Sequence, residues 1–329
     1  MSGAREARAV ARSNIALAKY WGKSDARLNL PAVPSISMTL DRLVTRTRVR
    51  FDGTLRGDRV SLDGRTATET ERRRIVELLD RVRHRAGLDL PARVESKNAF
   101  PTAAGLASSA SGFAALAAAA SAAAGLSHRP RDLSRLARRS SASAARSIYG
   151  GFVELPAGRP GDDGLAARAL HDETHWDVRL VVALTALGAK EVGSTDGMER
   201  TRRSSPYYEP WLEAAPPLAK RIRQALARRD LPRLGAAMEQ STLAFHACAL
   251  AADPWILYLR PATVAALRTV RRLREERGIP VYATMDAGPH VKALCEAHHA
   301  ERVRRALRRT EGVLRTVVAA PGPGVEVLP

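Results

Sequence analysis

The order of apolar and polar residues along the chain predicts an α+β protein. Patterns typical of strands lie at 13–20, 36–51 and 92–98, and Gly and Asp residues between positions 52 and 64 predict hairpin turns. Apolar residues at helical spacing predict helices between and after these strands. The predicted helices lie at 69–86, 106–124, 130–145, 207–229, 231–250, 261–277 and 289–309. Further strands are expected at 152–155, 178–187, 280–285 and 313–320.

The length of 329 residues is enough for two domains, each with its own core. We expect an N-terminal domain at 1–180 and a C-terminal domain at 181–329. No apolar run is long enough to cross a bilayer, and residues 1–12 lack the apolar stretch of a signal peptide. A cytoplasmic protein without a membrane partner is therefore expected. Cys248 and Cys295 have no spacing typical of a zinc site or a disulfide framework.

The formal net charge of +19 raises the alternative of a nucleic-acid-binding protein. Only six of the 53 basic residues are lysine, so 47 are arginine. Many arginines alternate with Leu, Val and Ala at helical spacing, which is typical of solvated helix faces. No recognisable nucleic-acid-binding module accompanies them. We therefore expect no nucleic-acid partner, although the positive field favours encounter with small polyanionic substrates.

A run of small residues at 101–112 leads directly into an Ala-rich predicted helix and has the features of a phosphate-binding loop. Gly105 allows a tight turn, the small side chains let backbone N–H groups approach an anion, and the helix dipole adds positive potential. Ser108 and Ser109 add hydroxyls for a phosphate or its metal ion. The pattern is not a Walker A motif. By itself, it is equally compatible with a helix that packs closely on a sheet.

Four segments, in this order along the chain, carry a resemblance to a known family. Residues 14–23, continuing through 28–31 to 35–40, resemble the opening of the mevalonate diphosphate decarboxylases, which belong to the GHMP kinase superfamily. The loop at 101–112 resembles the phosphate loop of that superfamily, and 141–151 and 285–290 resemble further family segments. The resemblance implies a two-domain GHMP kinase fold, with a ribosomal protein S5 domain 2-like N-terminal domain and a ferredoxin-like C-terminal domain. It also implies ATP and Mg²⁺ as cofactors and a homodimer.

Two residues are the main candidates for chemistry. Asp286 follows a predicted strand and precedes Ala-Gly-Pro, a position suited to orienting or deprotonating a substrate hydroxyl, although an isolated Asp there is more often a turn residue. Arg146 carries a guanidinium that can grip both oxygens of a carboxylate. The resemblance places Asp286 beside the 3-hydroxyl of the substrate and Arg146 at its C1 carboxylate, with Ser141 and Ser143 nearby.

The resemblance also assigns the remaining site residues. Lys19 lies near the catalytic Asp and, like Ser143, is expected to be a catalytic residue, and Asn14 matches a substrate-binding asparagine of the active site. The 5-diphosphate of the substrate contacts Tyr20 and Lys23, together with Ser194 and Thr195 in a second loop. The expected ATP-binding residues are Asn98, Pro101, Thr102, Ala103, Ala104, Gly105, Leu106, Ala107, Ser108 and Ser109, of which Ser108 and Ser109 are the candidate Mg²⁺ ligands.

The expected reaction is the ATP-dependent decarboxylation of mevalonate 5-diphosphate to isopentenyl diphosphate, ADP, phosphate and carbon dioxide. Three departures from the family pattern are present: His290 replaces an Asn, Val33-Pro34 replaces a more polar pair, and Ala99 replaces a second Asn. Two related activities stay open at this point, a decarboxylase of the monophosphate and a kinase that phosphorylates the 3-hydroxyl without decarboxylation. Nucleic-acid binding is the remote alternative.

Overall fold

The computed structural model describes residues 5–99, 108–188 and 191–329. Groups of strands and groups of helices follow one another along the chain. The strands are β1 (Arg5–Ala18), β2 (Lys23–Asp25), β3 (Leu30–Pro31), β4 (Ser35–Phe51), β5 (Arg59–Leu62), β6 (Arg65–Thr66), β7 (Ala92–Asn98), β8 (Phe152–Leu155), β9 (Arg168–His171), β10 (Val178–Leu184), β11 (Val281–Met285), β12 (Val291–Glu296), β13 (Arg315–Ala319) and β14 (Glu326–Leu328). The helices are α1 (Glu69–Ala86), α2 (Ser108–Ala123), α3 (Pro130–Ser140), α4 (Ala142–Arg146), α5 (Ser194–Ser204), α6 (Tyr208–Arg228), α7 (Leu231–Leu250), α8 (Pro261–Glu275) and α9 (Ala300–Arg308). The predicted α+β class is confirmed.

The N-terminal sheet is built on the two long strands β1 and β4. Its strand order is β14-β1-β4-β7-β5-β6, and β8 joins the first half of β4 with β9 outside it. Helix α2 packs on this sheet through alanines at 114, 115 and 117–120, all fully buried. Because alanine side chains are small, they let the helix approach the sheet closely.

The C-terminal sheet has the order β11-β12-β10-β13, and all its pairings are antiparallel. In chain order, the second, third, first and fourth strands of this sheet are neighbours, which is the arrangement of a ferredoxin-like split βαβ unit. The ferredoxin-like prediction for this half is therefore confirmed.

One apolar cluster joins the two halves of the molecule. Ile15 and Leu17 on β1 pack with Leu180 on β10 and with the buried faces of α6 and α7. Strand β14 also returns to the N-terminal sheet and pairs with β1. The end of β1 is therefore held against the C-terminal half, where Thr284 Oγ1 of β11 donates to the Ala16 carbonyl of β1 at 3.3 Å. This contact brings residues that are far apart in sequence to one site.

Three predictions of local structure were wrong. The helix expected at 289–309 is a strand, β12, followed by a short 3₁₀ turn and the helix α9. The helix expected at 130–145 ends at Ser140, because Ser141 has an extended backbone, and α4 begins after it. The segment that begins at Ser194, expected as a loop, is the first turn of α5.

Candidate active site

Asp286 lies directly after β11, in the connection to β12. Thr242 of α7 fixes the end of that strand, because its hydroxyl donates to the Met285 carbonyl at 2.8 Å and accepts from the Met285 N–H at 3.0 Å. The Asp286 side chain is 27% exposed, so it is partly accessible from solvent. The predicted position of this carboxylate at the end of a strand is correct.

Lys19 follows β1 and is almost fully buried. Its ammonium donates to the Ala16 carbonyl and to Asp286 Oδ1, both at 2.8 Å, while its backbone N–H donates to the Ser241 hydroxyl at 3.0 Å. Burial lowers the pKa of Lys19 to about 8, although the charge of Asp286 opposes this change. The structure therefore brings Lys19 and Asp286 together, which are 267 residues apart in the sequence.

A second buried lysine completes this cluster and was missed in the sequence analysis. Lys292 of β12 lies with Nζ 3.0 Å from Asp286 Oδ2, and its side chain is 1% exposed. Burial opposes ionisation of Asp286, but the charges of Lys19 and Lys292 outweigh it and hold its pKa well below the usual range. The carboxylate therefore stays ionised throughout the neutral pH range.

Arg146 lies at the end of α4 and is buried against β4. Its Nε donates to Ser37 Oγ at 3.0 Å, and its Nη1 donates to Ser35 Oγ at 2.6 Å. Burial lowers the pKa of Arg146 to about 10, so the guanidinium remains charged at neutral pH. In the described ranges, no carboxylate lies within 4.0 Å of it. A buried cation without an acidic partner is suited to a carboxylate supplied by a ligand.

Two serines and an asparagine lie on or against α4, the short helix that ends at Arg146. The Ser141 and Ser143 hydroxyls are 2.9 Å apart, and Asn14 Nδ2 donates to the Ser143 carbonyl at 2.9 Å and to Ser147 Oγ at 2.7 Å. Asn14 Oδ1 is buried and has no hydrogen-bond partner among the residues that the structure describes. The fold thus brings Asn14 next to the helix that carries Ser143 and Arg146.

Tyr20 follows Lys19 and adds a second unsatisfied polar atom. Its hydroxyl is buried and accepts or donates no hydrogen bond within the described parts of the chain. Burial raises the pKa of Tyr20, an effect that the nearby charge of Arg146 only partly opposes. The hydroxyl is therefore available as a neutral donor to an anionic ligand.

Lys23 on β2 lies half-buried near the first two turns of α5. Burial and the charge of Arg74 lower its pKa, and the carboxylates of Asp196 and Glu199 on α5 oppose this. Trp21 connects the two segments, since its indole N–H donates to Thr201 Oγ1 at 2.8 Å. Ser194 and Thr195 begin α5, where the backbone N–H groups of the first turn are suited to anions.

Only part of the predicted ATP-binding segment lies within the described residues. Pro101 to Ala107 lie outside the described residues, as does the side chain of Ser108. Asn98 ends β7, accepts from Thr45 Oγ1 at 2.6 Å and donates through Nδ2 to Asp63 at 3.1 Å. Ser109 is exposed in the first turn of α2, at the positive end of the helix dipole.

Two histidines lie beside the charged cluster. His246 of α7 is buried, and burial together with the charge of Lys19 lowers its pKa to about 3, so it is neutral. His290, which replaces the Asn of the family pattern, is 1% exposed and accepts through Nδ1 from the Thr185 N–H at 3.2 Å. The hydrogen bond ties the β11–β12 connection to the residue that follows β10.

Family models match both halves of the chain. Residues 11–166 match the diphosphomevalonate decarboxylase-like N-terminal domain, and residues 180–317 match the mevalonate 5-diphosphate decarboxylase C-terminal domain. The chain belongs to the diphosphomevalonate decarboxylase family. The family predicted from the four sequence segments is confirmed.

Individual relatives agree with this assignment. The chain is 37% identical to the diphosphomevalonate decarboxylase of Homo sapiens, over 84% of this chain and 73% of the human protein. It is 35% identical to that of Gibberella zeae, over 84% of this chain and 77% of the relative.

Solved structures of the family have the same fold. The mevalonate diphosphate decarboxylase from Staphylococcus aureus superposes with a TM-score of 0.93 at 38% identity, covering 99% of this chain and 98% of that one. A structure of MDDEF in complex with MVAPP, AMPPCP and magnesium gives a TM-score of 0.92 at 40% identity, covering 99% of both chains. The two-domain GHMP kinase fold is confirmed. Within the described ranges, no helix has the length and apolar character needed to cross a membrane.

Proposed function

We propose that this chain catalyses the ATP-dependent decarboxylation of mevalonate 5-diphosphate to isopentenyl diphosphate, ADP, phosphate and carbon dioxide. One observation carries the proposal: an ionised carboxylate, Asp286, lies within electrostatic reach of Arg146, a buried guanidinium without an acidic partner among the described residues. The reaction needs such a pair, one group for the hydroxyl that is phosphorylated and one for the carboxylate that leaves.

The first step is phosphoryl transfer to the 3-hydroxyl. Asp286 accepts a hydrogen bond from this hydroxyl and orients its oxygen toward the γ-phosphorus of ATP. Lys19 holds Asp286 and adds positive charge where the phosphate oxygens gather. The bond from the γ-phosphorus to ADP breaks as the bond to the 3-oxygen forms, and the hydroxyl proton passes to Asp286 and then to solvent, so the products are ADP, a proton and a 3-phosphorylated substrate.

The second step breaks two bonds. The C3–O bond breaks with its electron pair going to phosphate, and the C1–C2 bond supplies the electrons of the new C2–C3 double bond, so C1 leaves as carbon dioxide. Arg146 holds the C1 carboxylate in position, while Ser141, Ser143 and Asn14 line the same region. Developing positive charge at the tertiary C3 needs no electron-sink cofactor.

The 5-diphosphate binds at Lys23, the Tyr20 hydroxyl and the first turn of α5 with Ser194 and Thr195. The buried, unsatisfied Tyr20 hydroxyl supports this assignment, because a buried polar atom without a partner is costly unless a ligand satisfies it. The two phosphates lie away from C3, so this pocket provides binding and specificity rather than chemistry.

ATP binds at the N-terminus of α2 and the residues that precede it, with Asn98 at the end of β7. Mg²⁺ neutralises charge on the triphosphate when it is bound. The exposed Ser109 offers an oxygen ligand of the hard type that Mg²⁺ accepts, and phosphate oxygens fill further positions. Ser108 and Ser109 are the proposed protein ligands.

We infer further that the chain divides into domains near residue 180, works in the cytoplasm and forms a homodimer without a nucleic-acid partner. The family resemblance supports the dimer. Sedimentation of the purified protein in physiological salt, with and without duplex DNA, tests the dimer and the nucleic-acid alternative together.

A substrate panel tests the proposed function. Mevalonate, its 5-phosphate and its 5-diphosphate are each supplied with ATP, and ADP and carbon dioxide are scored separately. We expect one carbon dioxide per ADP with the diphosphate. Release of ADP with a stable 3-phosphorylated product favours the kinase, and preference for the 5-phosphate favours the monophosphate decarboxylase.

A further inference from the structure

Lys292 is a charge in the middle of a buried strand. Its neighbours on β12, from Val291 to Cys295, are otherwise apolar, and the strand is covered on both sides. In the sheet it pairs with Thr284 of β11 and Val182 of β10. Burying an ammonium group in such a position is unfavourable, and an apolar side chain of similar volume commonly gives equal or greater stability. The fold alone therefore gives little reason for a lysine here.

The ammonium of Lys292 is directed at the reaction site. It lies 3.0 Å from Asp286 Oδ2, while Lys19 lies 2.8 Å from Asp286 Oδ1. Lys19 comes from the end of the N-terminal sheet and Lys292 from the C-terminal sheet. One carboxylate is thus held at both oxygens by two cations from the two halves of the molecule.

A second contact ties these strands together. The Ala16 carbonyl accepts from the Lys19 ammonium at 2.8 Å and from Thr284 Oγ1 at 3.3 Å. Since Thr284 is the sheet partner of Lys292, the two lysines and Asp286 form one small network at the junction of the sheets.

We propose that Lys292 is a positioning residue for the decarboxylation reaction, fixing the orientation of Asp286 and keeping its carboxylate ionised. The inference rests on the proposed function. It adds a residue that acts through its contact with Asp286. The charged or titratable groups near Asp286 in the described elements include Lys19 after β1, Lys292 on β12, Arg146 on α4 and His246 on α7, the last of them neutral. The imidazole of His290 lies in the same connection between β11 and β12.

The first test measures the titration of Asp286 without any substrate. Carbon-13 NMR of protein labelled at Asp side-chain carboxyls follows its pKa, and Asp286→Asn assigns the signal. In Lys292→Met we expect the pKa to rise by about one to three pH units, because an opposite charge in direct contact is removed. Lys220→Met makes the same substitution at an exposed position of α6 and is expected to leave the titration unchanged.

The second test uses turnover. Lys292→Met is expected to lower kcat by about tenfold or more, because a misplaced reacting group loses much of the advantage of orientation, while the KM for ATP stays near that of the wild type. In this variant, kcat/KM is expected to fall at acidic pH, because the raised pKa lets Asp286 take up a proton there. A role confined to folding predicts a lower melting temperature with both the Asp286 titration and the pH profile unchanged, and that result overturns the proposal.

Failure of this inference is distinguishable from failure of the proposed function. The NMR titration needs no substrate and no turnover, whereas the proposed function fails if the wild type releases no carbon dioxide from mevalonate 5-diphosphate. If Lys292→Met does not fold, Lys292→Gln removes the charge but keeps a hydrogen-bond donor. An unchanged Asp286 titration in that variant equally overturns the proposal.

Discussion

Arg146 and Ser37 form a hydrogen bond of 3.0 Å that anchors the end of α4 on strand β4. Ser35, two residues earlier on the same face of the strand, accepts from a second nitrogen of the guanidinium. The guanidinium is therefore fixed before any substrate arrives. Because its orientation is set by two buried hydroxyls, little conformational entropy is lost when it binds a carboxylate.

Replacing Arg146 by Ala is expected to reduce kcat for carbon dioxide release by about a hundredfold or more, since the carboxylate loses its orientation. ATP binding, measured by calorimetry, is expected to survive. Arg146→Lys keeps the charge but not the two-pronged geometry, so we expect only partial recovery. Ser37→Ala removes one of the two hydroxyls that hold the guanidinium, so we expect a smaller loss of kcat than in Arg146→Ala. Near-normal turnover in a folded Arg146→Ala protein contradicts the assignment.

Replacing Asp286 by Asn keeps the size of the side chain but removes its charge and both ion pairs. Phosphoryl transfer is expected to fall by about a hundredfold or more, within the range for loss of a general base or orienting group. ADP and carbon dioxide should fall together, because decarboxylation follows the transfer. Asp89→Asn, at an exposed position, is the matched control. If Asp286→Asn turns over normally while its circular dichroism is unchanged, Asp286 is a turn residue only.

The long elements of the fold were predictable because their burial patterns are local. Strand β4 alternates buried and partly exposed residues along its second half, and α1 repeats buried residues at helical spacing between a Thr68 cap and Gly87. The strand-end position of Asp286 was also predictable, because the Ala-Gly-Pro that follows it marks the end of a strand, whereas its proposed role came from the family resemblance.

Strand β12 was missed for a physical reason. A strand buried on both faces gives a continuous apolar run without alternation, and such a run cannot be told from a buried helix by periodicity. Because this segment was predicted as a helix, Lys292 was not recognised as a neighbour of Asp286, which lies six residues earlier. The available signal was the Gly288-Pro289 pair between two apolar runs, which is typical of a hairpin. The serines that anchor Arg146 were beyond prediction, since their contact spans 109 and 111 residues.

Replacing Lys23 by Ala is expected to raise the KM for the diphosphate substrate by about tenfold or more, with a smaller change in kcat. The reason is that the ammonium contacts a group remote from the reacting carbon, so its loss affects ground state and transition state alike. Steady-state kinetics with Lys220→Ala as an exposed control measures this. An unchanged KM places the diphosphate pocket elsewhere.

Replacing Gly22 by Ala tests how Lys23 is positioned. Gly22 has a φ of +101°, and an added Cβ would collide with the Tyr208 hydroxyl. We expect a lower melting temperature and a raised KM for the diphosphate substrate, because the chain between Trp21 and Lys23 must shift. Gly64→Ala has a φ of +84° but open space around it, so it should lower stability without affecting KM. Equal kinetic effects in both variants contradict this explanation.

The pKa of Lys19, lowered to about 8, predicts an alkaline limit to activity. Below neutral pH the ammonium is fully charged and pairs with Asp286. As pH rises through about 8, the proton is lost and kcat/KM, which reports the free enzyme, is expected to fall. Bound phosphates favour the charged form, so the corresponding limb of kcat should lie at higher pH. Arginine stays charged over the whole pH range, so we expect kcat/KM of Lys19→Arg not to fall at alkaline pH. If kcat/KM of this variant falls at the same alkaline pH as in the wild type, another group is responsible for the ionisation.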